Sequence, residues 1–346
     1  MGACRPDAVK ASFIVPLFNC LPLTQAMLAS LRETVPASLA HEVIFVDDGS
    51  TDGTRDWLAD ASPSREPGKG DRGQIRSLLN EKNLGFAATC NRGAAVAQGE
   101  YLFFLNNDLV LLPGWLEPML AVFAERSDAG LVGNVQLNFA TGAVDHAGIV
   151  FNAKGKPEHV TAPGARHEAF RAVVAVTGAC FAIRAETWRQ LGAFDEGFRN
   201  GCEDVDLGLR ARQAGLTNYV ALRSVVRHHV SASLGRKLRD EQNTARLINR
   251  WRPQVINLMP RACARACLAA AWENPRDYAR LRVAYESFLY AVGLLPQPTP
   301  GIIGAASQAL DLETARWAHL LQKAPPPSPH DIAPAWFPAR PDKSPV

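Results

Sequence analysis

Two amides and a carboxylate end the most apolar segment of the chain and could hold a cation. Residues 101–105 read Tyr-Leu-Phe-Phe-Leu and are followed directly by Asn106, Asn107 and Asp108. An uncharged run of this length predicts a strand buried on both faces, with Asp108 at its end. Carboxylate oxygens suit a hard divalent cation such as Mg²⁺ or Mn²⁺. On this stretch alone the alternative stays open that Asn-Asn-Asp only forms a turn.

A second pair of acids also follows an apolar run. Residues 42–46 predict a buried strand, and Asp47 and Asp48 come directly after it. An earlier strand over 12–16 stops at Pro16, and a helix is predicted between the two strands. Strand, helix and strand at this spacing predict a βαβ unit with ligand loops at one edge of a parallel sheet.

A third group of acids opens an amphipathic helix at 203–214. The helix macrodipole explains an acid at Asp206, but it explains the adjacent Glu203 and Asp204 less well. Neighbouring carboxylates near a pocket raise each other's pKa, which is one way to tune a general base. A histidine, His228, follows a further apolar strand. These residues are candidates for chemistry at the same edge of the sheet.

The overall composition favours a globular protein of two compact units. The chain has 346 residues, 47% of them apolar and 21% charged, with a formal net charge of +3. That balance gives no support for nucleic-acid binding. Seven scattered cysteines fit reduced thiols in the cytoplasm. Because no signal peptide or apolar run of membrane-spanning length is visible, we expect a cytoplasmic protein, at most peripheral at the inner face of the membrane.

Other segments carry weaker signals. Residues 68–73 match the dinucleotide pattern G-x-G-x-x-G but lack a preceding strand and a following helix, so we discard the match. The stretch 138–169 is the least periodic, and its histidines (His146, His159, His167) are expected at the surface or in the core rather than as ligands. A basic stretch over 236–252 is either a solvated helix face or a diphosphate clamp.

Separated motifs in this order resemble those of glycosyltransferase family 2, in particular its bacterial rhamnosyltransferase-like branch. The resemblance covers about residues 10–235. Its motifs are Pro16 to Asn19, Val46 to Thr54, Asn83 to Phe86, Asn106 to Asp108, Gly192 to Glu196, Glu203 to Leu207, and His228. It implies an α/β fold of the GT-A (Rossmann-like) type, with a mostly parallel central sheet flanked by helices. Beyond the resemblance, amphipathic patterns near 276–292 and 308–321 predict a C-terminal helical extension. The domains would be 1–235 (catalytic), 236–323 (helical extension) and 324–346 (a proline-rich tail, extended or disordered).

The same resemblance implies a role for individual residues. Asp204 would be the catalytic base and Glu203 its neighbour that tunes it. The metal ligands would be Asp108 and His228, because Asn106 stands where many members carry the first Asp of the D-x-D motif. The donor nucleotide would contact Pro16, Phe18, Asn19, Asp47, Asp48, Asn83, Gly85, Asn91 and Asn107. The acceptor or diphosphate side would include Gly178, Ala179, His229 and Arg236.

The implied function is an inverting, metal-dependent glycosyltransferase that uses Mn²⁺ or Mg²⁺. It would move a sugar from a nucleotide-diphosphate donor to a hydroxyl of a glycan, lipid-linked or protein acceptor in cell-surface glycoconjugate synthesis. The C-terminal extension is a candidate surface for a homo-oligomer or a partner. Two alternatives remain: an inactive relative that binds carbohydrate or a partner, and a sugar-nucleotide pyrophosphorylase. The pyrophosphorylase should carry a basic, glycine-rich loop after its first strand, where this chain has Pro16 to Asn19.

Overall fold

The computed structural model describes the chain in five ranges. These are 10–61, 74–162, 168–229, 236–273 and 278–323. The discarded glycine motif at 68–73, His167 and the tail with Trp336 and Phe337 lie outside the described residues. No helix in the described ranges is long and apolar enough to cross a membrane.

Strands and helices are mixed up to residue 228, and the described elements after it are all helices. The strands are β1 (Ala11–Leu17), β2 (His41–Asp47), β3 (Gln74–Leu79), β4 (Tyr101–Leu105), β5 (Leu109–Leu111), β6 (Ala129–Asn138), β7 (Val144–His146), β8 (Ile149–Phe151), β9 (Pro157–His159), β10 (Phe170–Val173), β11 (Cys180–Arg184) and β12 (Thr217–His228). The helices are α1 (Leu21–Thr34), α2 (Thr54–Ala61), α3 (Phe86–Val96), α4 (Leu116–Glu125), α5 (Ala185–Leu191), α6 (Glu203–Gln213), α7 (Arg236–Leu258), α8 (Pro260–Glu273), α9 (Tyr278–Ala291) and α10 (Pro300–Lys323).

One large sheet carries most of these strands. Its order is β10-β12-β6-β11-β4-β1-β2-β3, with β5 beside β12 and β7 beside β6. The pairs β1–β2, β2–β3, β1–β4 and β6–β12 are parallel, whereas β11 is antiparallel to β4 and β6. The strands β1, β2, β3, β4, β6 and β12 therefore point the same way, and their carboxyl ends meet at one edge. The expected GT-A arrangement with a mostly parallel sheet is confirmed.

The central strand β4 is buried along its whole length, as its apolar run predicts. Phe103 packs on one face of the sheet against Phe13 and Trp115. Phe104 packs on the other face, stacked on Phe181 at 4.7 Å between ring centroids. Successive side chains of a strand point to opposite faces, so a strand covered on both faces needs apolar residues at every position.

The small residues of α3 allow it to pack very close to the sheet. A Cβ atom at Gly93 would lie 2.7 Å from Ile14 Cγ2 and 3.0 Å from Val46 Cγ2. Any larger side chain would push the helix away from β1 and β2. The loop before α3 is thereby held near the carboxyl edge of the sheet.

The described part of the stretch with little periodicity contains the three short strands β7, β8 and β9. β8 and β9 pair as an antiparallel hairpin, and the Ile149 amide bonds the Ala175 carbonyl at 2.9 Å. Strands of three residues are too short to show an alternating pattern in the sequence. This explains why the sequence did not predict them.

The C-terminal helices share a hydrophobic cluster with the first part of the chain. Val205 and Leu209 of α6 are buried together with Trp251 of α7 and Leu310 of α10. Gly155, in the β8–β9 turn, approaches the Leu310 side chain. The proposed division at 235 stays a prediction, and this shared cluster indicates that the helical extension packs on the sheet-bearing part.

The basic residues of α7 form ion pairs within the protein. Arg246 and Arg250 contact Asp195 at 3.1 and 3.0 Å, and Arg250 also lies 3.2 Å from the buried Asp206. Trp251 Nε1 donates to Asp206 at 2.8 Å. These two half-exposed arginines fasten α7 to α6 and to the loop after α5, and the diphosphate clamp stays a prediction.

Candidate active site

The loops of the site meet where β1 and β4 separate at the carboxyl edge of the sheet. β1 pairs with β4 only as far as Ile14 and Phe104, whereas its pairing with β2 continues to Leu17. Proline cannot donate to a ladder, and Pro16 lies in the stretch that has a strand partner on one side only. The order also reverses here, since the chain builds β1, β2 and β3 outward and then returns to β4. Ligands of α/β sheets bind in the crevice at such a point.

Asp47 supports the loop after β2 from inside the protein. Its side chain is fully buried and accepts bonds from the Gly49 amide at 3.2 Å and the Ser50 amide at 3.2 and 3.3 Å. Arg55 Nε donates to it at 2.7 Å. These bonds shape the loop, so Asp47 can act on a nucleotide only through the loop's shape.

Asp48 joins this loop to the turn before α3. Its Oδ1 accepts from Asn80 Nδ2 and from the Leu84 amide, both at 2.8 Å, and its Oδ2 accepts from the Gly85 amide at 2.9 Å. A carboxylate has about four acceptor positions, so one on Oδ2 remains for a donor group of a ligand. A bond to the nucleotide base stays a prediction for that position.

Two asparagines tie the loops after β1, β2 and β4 together. Asn19 has a φ of 58°, and its Oδ1 accepts from the Thr51 amide at 2.8 Å while its own amide donates to Ser50 Oγ at 2.8 Å. Asn107 Nδ2 donates to the Asn19 carbonyl at 3.2 Å and to Thr24 Oγ1 at 3.0 Å. The left-handed conformation is one that asparagine adopts more readily than most residues. The three loops are therefore fixed as a unit.

The remaining residues predicted to contact the nucleotide have different surroundings. Phe18 is half-buried just after β1. The amide of Asn83 lies 3.0 Å from the position that a Cβ at Gly49 would take, so the two loops touch. The side chain of Asn91 bonds the segment after α5. Its Nδ2 donates to the Phe194 carbonyl and its Oδ1 accepts from the Phe194 backbone amide, both at 3.0 Å. Its nucleotide contact stays a prediction that these bonds do not favour.

Asp108 and His228 lie side by side although 120 positions separate them in the sequence. Strand β12 runs antiparallel to β5, with His228 opposite Leu109. The His229 amide also donates to the Asp108 carbonyl at 3.0 Å. This pairing places His228 Nε2 3.2 Å from Asp108 Oδ1, with the carboxylate almost fully buried.

The donor atoms of this pair fit a divalent cation. Asp108 Oδ1 is buried without a hydrogen-bond partner among the described residues, and two ligands at right angles, each about 2.1 Å from a metal, are about 3 Å apart. The described residues contain no group of three or more His, Cys, Asp or Glu side chains that could complete the shell. Burial, and then the charges of Asp52 and Asp108, raise the pKa of the nearby Cys20 thiol to about 11, so it stays protonated. Diphosphate and water would have to supply the other ligands.

Asp204 stands in the first turn of α6 with its carboxylate tied to two amides. Oδ2 accepts from the Gly178 amide at 2.7 Å and Oδ1 from the Val205 amide at 2.8 Å. Burial raises the pKa of Asp204 above its ordinary value, and this outweighs the two hydrogen bonds, which lower it. The direction suits a general base, and burial is its largest cause. The neighbouring Glu203 accepts from the Gly201 amide at 2.6 Å in the preceding loop.

The predicted base and the predicted metal pair are linked through one short loop. The Gly178 amide donates to Asp204, and the carbonyl of the following residue, Ala179, accepts from the Asn106 amide at 2.8 Å. Gly178 leaves little room, since a Cβ there would lie 3.2 Å from the Phe86 ring and 3.6 Å from Asp204 Oδ2. Gly178 and Ala179, assigned to the acceptor or diphosphate side, thus connect Asp204 with the segment that leads to Asp108.

Helix α7 braces the loop that leads to Asp204, which sequence reasoning missed. Asn243 accepts from the Arg199 amide at 3.3 Å and donates to the Arg199 carbonyl at 3.0 Å. The next residue, Asn200, accepts from the Phe86 amide at 3.0 Å. Asn200 and Cys202 both have positive φ (54° and 69°), so the loop needs this external support. No local pattern could have shown it, because the bracing residue lies more than forty positions away.

Two of the scattered histidines are also part of the site's surroundings. His146 is fully buried, and its Nε2 accepts from the Gly148 amide at 3.1 Å and the Thr177 amide at 3.4 Å. Burial holds its pKa well below the ordinary value, and the nearby His159 and His228 lower it further. His159 packs edge-on against His146 at 4.7 Å and is close enough to lower the pKa of Asp204. His146 matches the expectation of a core histidine, since it is buried and its Nε2 accepts hydrogen bonds. His159, in contrast, is exposed beside the predicted base.

An aromatic pair that the sequence did not reveal is joined by backbone hydrogen bonds to Asp108 and His228. The Phe139 and His229 rings are stacked, with centroids 3.6 Å apart and planes 23° from parallel. Phe139 is 40% exposed. Arg236 begins α7, and its side chain lies outside the described part of the structure.

Comparison with known proteins identifies the family of the chain. The family model described as "Glycosyl transferase family 2" matches residues 12–192, more than half of the chain. The chain belongs to this family. The prediction that it is a glycosyltransferase is thereby confirmed at the level of the family.

Two curated relatives have informative names. The chain is 37% identical over 235 residues to "O-antigen biosynthesis protein RfbC" of Myxococcus xanthus, covering 65% of this chain and 18% of that protein. It is 28% identical over 247 residues to "N-acetylglucosaminyl-diphospho-decaprenol L-rhamnosyltransferase" of Mycobacterium tuberculosis, covering 62% and 74%. The expected likeness to bacterial rhamnosyltransferases is confirmed. The chain spans a quarter or less of the length of the first three curated relatives, 18%, 25% and 17%.

Solved structures show the same fold at low identity. GalNAc-T7 with UDP, GalNAc and Mn²⁺ aligns with a TM-score of 0.58 at 15% identity, over 92% of this chain and 58% of that one. The mannosyltransferase PcManGT from Pyrobaculum calidifontis, with GDP-Man and Mn²⁺, aligns with a TM-score of 0.52 at 20% identity, over 93% and 89%. At these identities the likeness supports the fold alone.

Proposed function

We propose that this chain is an inverting, divalent-metal-dependent glycosyltransferase that uses a nucleotide-diphosphate sugar. The observation that carries the proposal is that the short Gly178–Ala179 loop ties Asp204 to the segment that leads to Asp108. The Gly178 amide donates to Asp204, whose pKa is raised, and the Ala179 carbonyl accepts from Asn106, two residues before the Asp108 of the Asp108–His228 pair. A base and an anion-stabilising pair are what transfer of a sugar from a diphosphate requires.

The residues suggest a single displacement. The acceptor hydroxyl attacks C1 of the donor sugar, its proton passes to Asp204, and the bond from C1 to the diphosphate oxygen breaks. The Asp204 carboxylate accepts two hydrogen bonds from backbone amides. About two of its lone-pair positions therefore remain for the hydroxyl group of the acceptor substrate and its proton. Because attack and departure occur on opposite faces of C1, the product has inverted anomeric configuration.

Asp108 and His228 are the residues that would hold the cation. When bound, Mn²⁺ or Mg²⁺ would neutralise the negative charge on the leaving diphosphate. The imidazole ligand favours Mn²⁺ somewhat, since Mg²⁺ prefers oxygen ligands throughout. The solved structures with Mn²⁺ support this choice of metal.

The substrates are proposed from the names of the relatives. O-antigen synthesis and a diphospho-decaprenol acceptor both point to a lipid-linked or glycan acceptor in cell-surface glycoconjugate synthesis. A lipid-linked acceptor would place the reaction at the inner face of the membrane with the enzyme peripheral to it. UDP-, GDP- and dTDP-sugars are the first donors to test.

One experiment separates this function from its two alternatives. Thermal-shift measurements across UDP-, GDP-, CMP- and dTDP-sugars with Mn²⁺ select the donor, because a ligand at 100 times its Kd adds about 2.7 kcal/mol of stability. Transfer or hydrolysis of the radiolabelled donor is then measured with and without EDTA. Asp108→Ala should abolish Mn²⁺-assisted binding of the nucleoside diphosphate, and His228→Ala should weaken it less, since the carboxylate is the only anionic ligand of the pair.

The outcomes are distinct. Loss of turnover with EDTA and an inverted product, seen by NMR, support the proposal. Donor binding without transfer or hydrolysis would indicate the inactive relative. Formation of nucleotide sugar from a nucleoside triphosphate and a sugar 1-phosphate would indicate the pyrophosphorylase. Unchanged binding in Asp108→Ala would mean that the Asn-Asn-Asp stretch is only a turn.

A further inference from the structure

The stacked pair Phe139 and His229 forms a flat aromatic surface at the rim of the site. The rings are nearly parallel, 3.6 Å apart, and Phe139 keeps 40% of its surface exposed. Exposed single aromatic residues are common and need no explanation. This one differs because its ring is fixed by a second ring and stands next to polar groups of the site.

Backbone hydrogen bonds tie this surface directly to the predicted metal pair. The Phe139 amide donates to the His228 carbonyl at 2.9 Å, and the His229 amide donates to the Asp108 carbonyl at 3.0 Å. Both rings are therefore carried by residues adjacent to the pair or bonded to it. A ligand whose diphosphate lies at Asp108 and His228 would thus have its next group beside the strand ends that carry the two rings.

The strand order separates the aromatic surface from the nucleotide loops. Phe139 follows β6 and Asp48 follows β2, and β11, β4 and β1 lie between those two strands. Four strand spacings amount to about 19 Å across the sheet. A ring bound on Phe139 is therefore not the base predicted to lie near Asp48. The group on the far side of the diphosphate from the nucleoside is a sugar.

We propose that the stacked rings of Phe139 and His229 form a binding platform for a pyranose ring. The face of an aromatic ring carries partial negative charge, and the aliphatic C–H groups on one face of a pyranose carry partial positive charge. Stacking also buries apolar surface of the sugar while its hydroxyls stay hydrated. Pyranoses of both substrates have this chemistry, so the platform receives either the donor sugar or the acceptor sugar.

The test compares Phe139→Ala with a matched control, and it rests on the proposed function. Phe288→Ala removes the same side chain from α9, where it is 51% exposed and outside the site. The ligands are UDP, GDP or dTDP, the matching nucleotide sugar selected by thermal shift, and octyl N-acetyl-β-glucosaminide as acceptor probe. Because Phe139 is exposed, the variant should fold, and its melting temperature is measured alongside.

Two results support the platform and say which sugar it holds. For the donor sugar, Phe139→Ala weakens nucleotide-sugar binding about fivefold to tenfold and leaves binding of the nucleoside diphosphate unchanged. For the acceptor sugar, both donor affinities stay unchanged and the acceptor KM rises by the same factor. Phe139→Trp should restore the lost affinity and Phe139→Leu should restore it only in part, while Phe288→Ala behaves like the wild type.

Other results overturn the platform. Binding and KM within twofold of Phe288→Ala would show that the stack is only structural. Equal weakening of the nucleoside diphosphate and its sugar would show that the ring acts on the nucleotide. If the wild type transfers no sugar, the proposed function fails separately. In that case, saturation-transfer NMR measures binding of methyl α-D-mannopyranoside and methyl α-L-rhamnopyranoside to the protein. A transfer signal that is present in the wild type and lost in Phe139→Ala supports the platform. No transfer signal in the wild type overturns it.

Discussion

Glu241 of α7 should act as a latch that fastens the C-terminal helices to the part of the chain that carries the site. Lys156 Nζ, in the β8–β9 turn, donates to Glu241 Oε1 at 2.8 Å. Arg316 and Trp317 of α10 both donate to Oε2. The same β8–β9 hairpin ends at His159, beside the predicted base. We therefore test the latch with Glu241→Gln, which keeps the shape and removes the charge.

The size of the effect follows from the pKa of Glu241. Partial burial raises the pKa, but the hydrogen bonds from Lys156, Arg316 and Trp317 prevail and lower it from an ordinary 4.5 to about 2. At 1.36 kcal/mol per pH unit this corresponds to about 3 kcal/mol as an upper value. Solvent screening reduces it, since 21% of the side chain is exposed, so we expect a loss of about 2 kcal/mol in Glu241→Gln at pH 7.

The pH dependence has a definite sign. A lowered folded-state pKa contributes stability that is fully present above pH 4.5 and is lost as the pH falls toward 2. The difference in unfolding free energy between wild type and Glu241→Gln should therefore be constant from pH 7 to pH 5.5. This difference should narrow below about pH 4.5, because the unfolded wild type takes up the proton there before the folded state does.

Urea unfolding at each pH measures this difference. Glu100→Gln is the matched control, because Glu100 also pairs with a lysine, Lys10, but both side chains are about half exposed. Exposed pairs contribute between about 0 and 1 kcal/mol, so the control should change little. Hydrogen exchange should show faster opening of the β8–β9 hairpin and of α10 in Glu241→Gln only. If Glu241→Gln is as stable as Glu100→Gln at pH 7, the latch does not exist.

Removing the base in Asp204→Asn should lower kcat at least about a hundredfold and leave donor affinity nearly unchanged, since a general base acts only in the transition state. Glu203→Gln should lower kcat less, because Glu203 accepts from the Gly201 amide whereas Asp204 accepts from the Gly178 amide. Wild-type turnover in Asp204→Asn together with an inactive Glu203→Gln would assign the base to Glu203. Activity should rise as the pH passes the raised pKa of Asp204. His159→Ala should shift this rise to higher pH, because the charge of His159 lowers the pKa of Asp204. An unchanged pH–rate profile in His159→Ala would contradict the interaction between His159 and Asp204. Deleting 325–346 should leave folding and donor hydrolysis intact, and a large loss of folded protein would show that the tail packs into the fold.

Much of the fold could be predicted because the signals are local. The uncharged run 101–105 became a strand with all five residues buried, and the small residues of α3 pack against β1 and β2 at Gly93. The acids after β2 and β4 stand at strand ends, as expected. The short strands between 144 and 173 could not be predicted, because three or four residues do not establish a period.

The sequence by itself determined the types of the candidate site residues and their positions at strand and helix ends. Burial patterns and turn residues encode these features within a few positions, so Asp108, Asp204 and His228 could be named in advance. Only the tertiary structure decided which ends meet. The β5–β12 pairing joins Asp108 to His228, and the Gly178 amide holds Asp204. Burial is the largest cause of the raised pKa of Asp204. Strand pairing and desolvation depend on segments far apart in the chain, which no local pattern records.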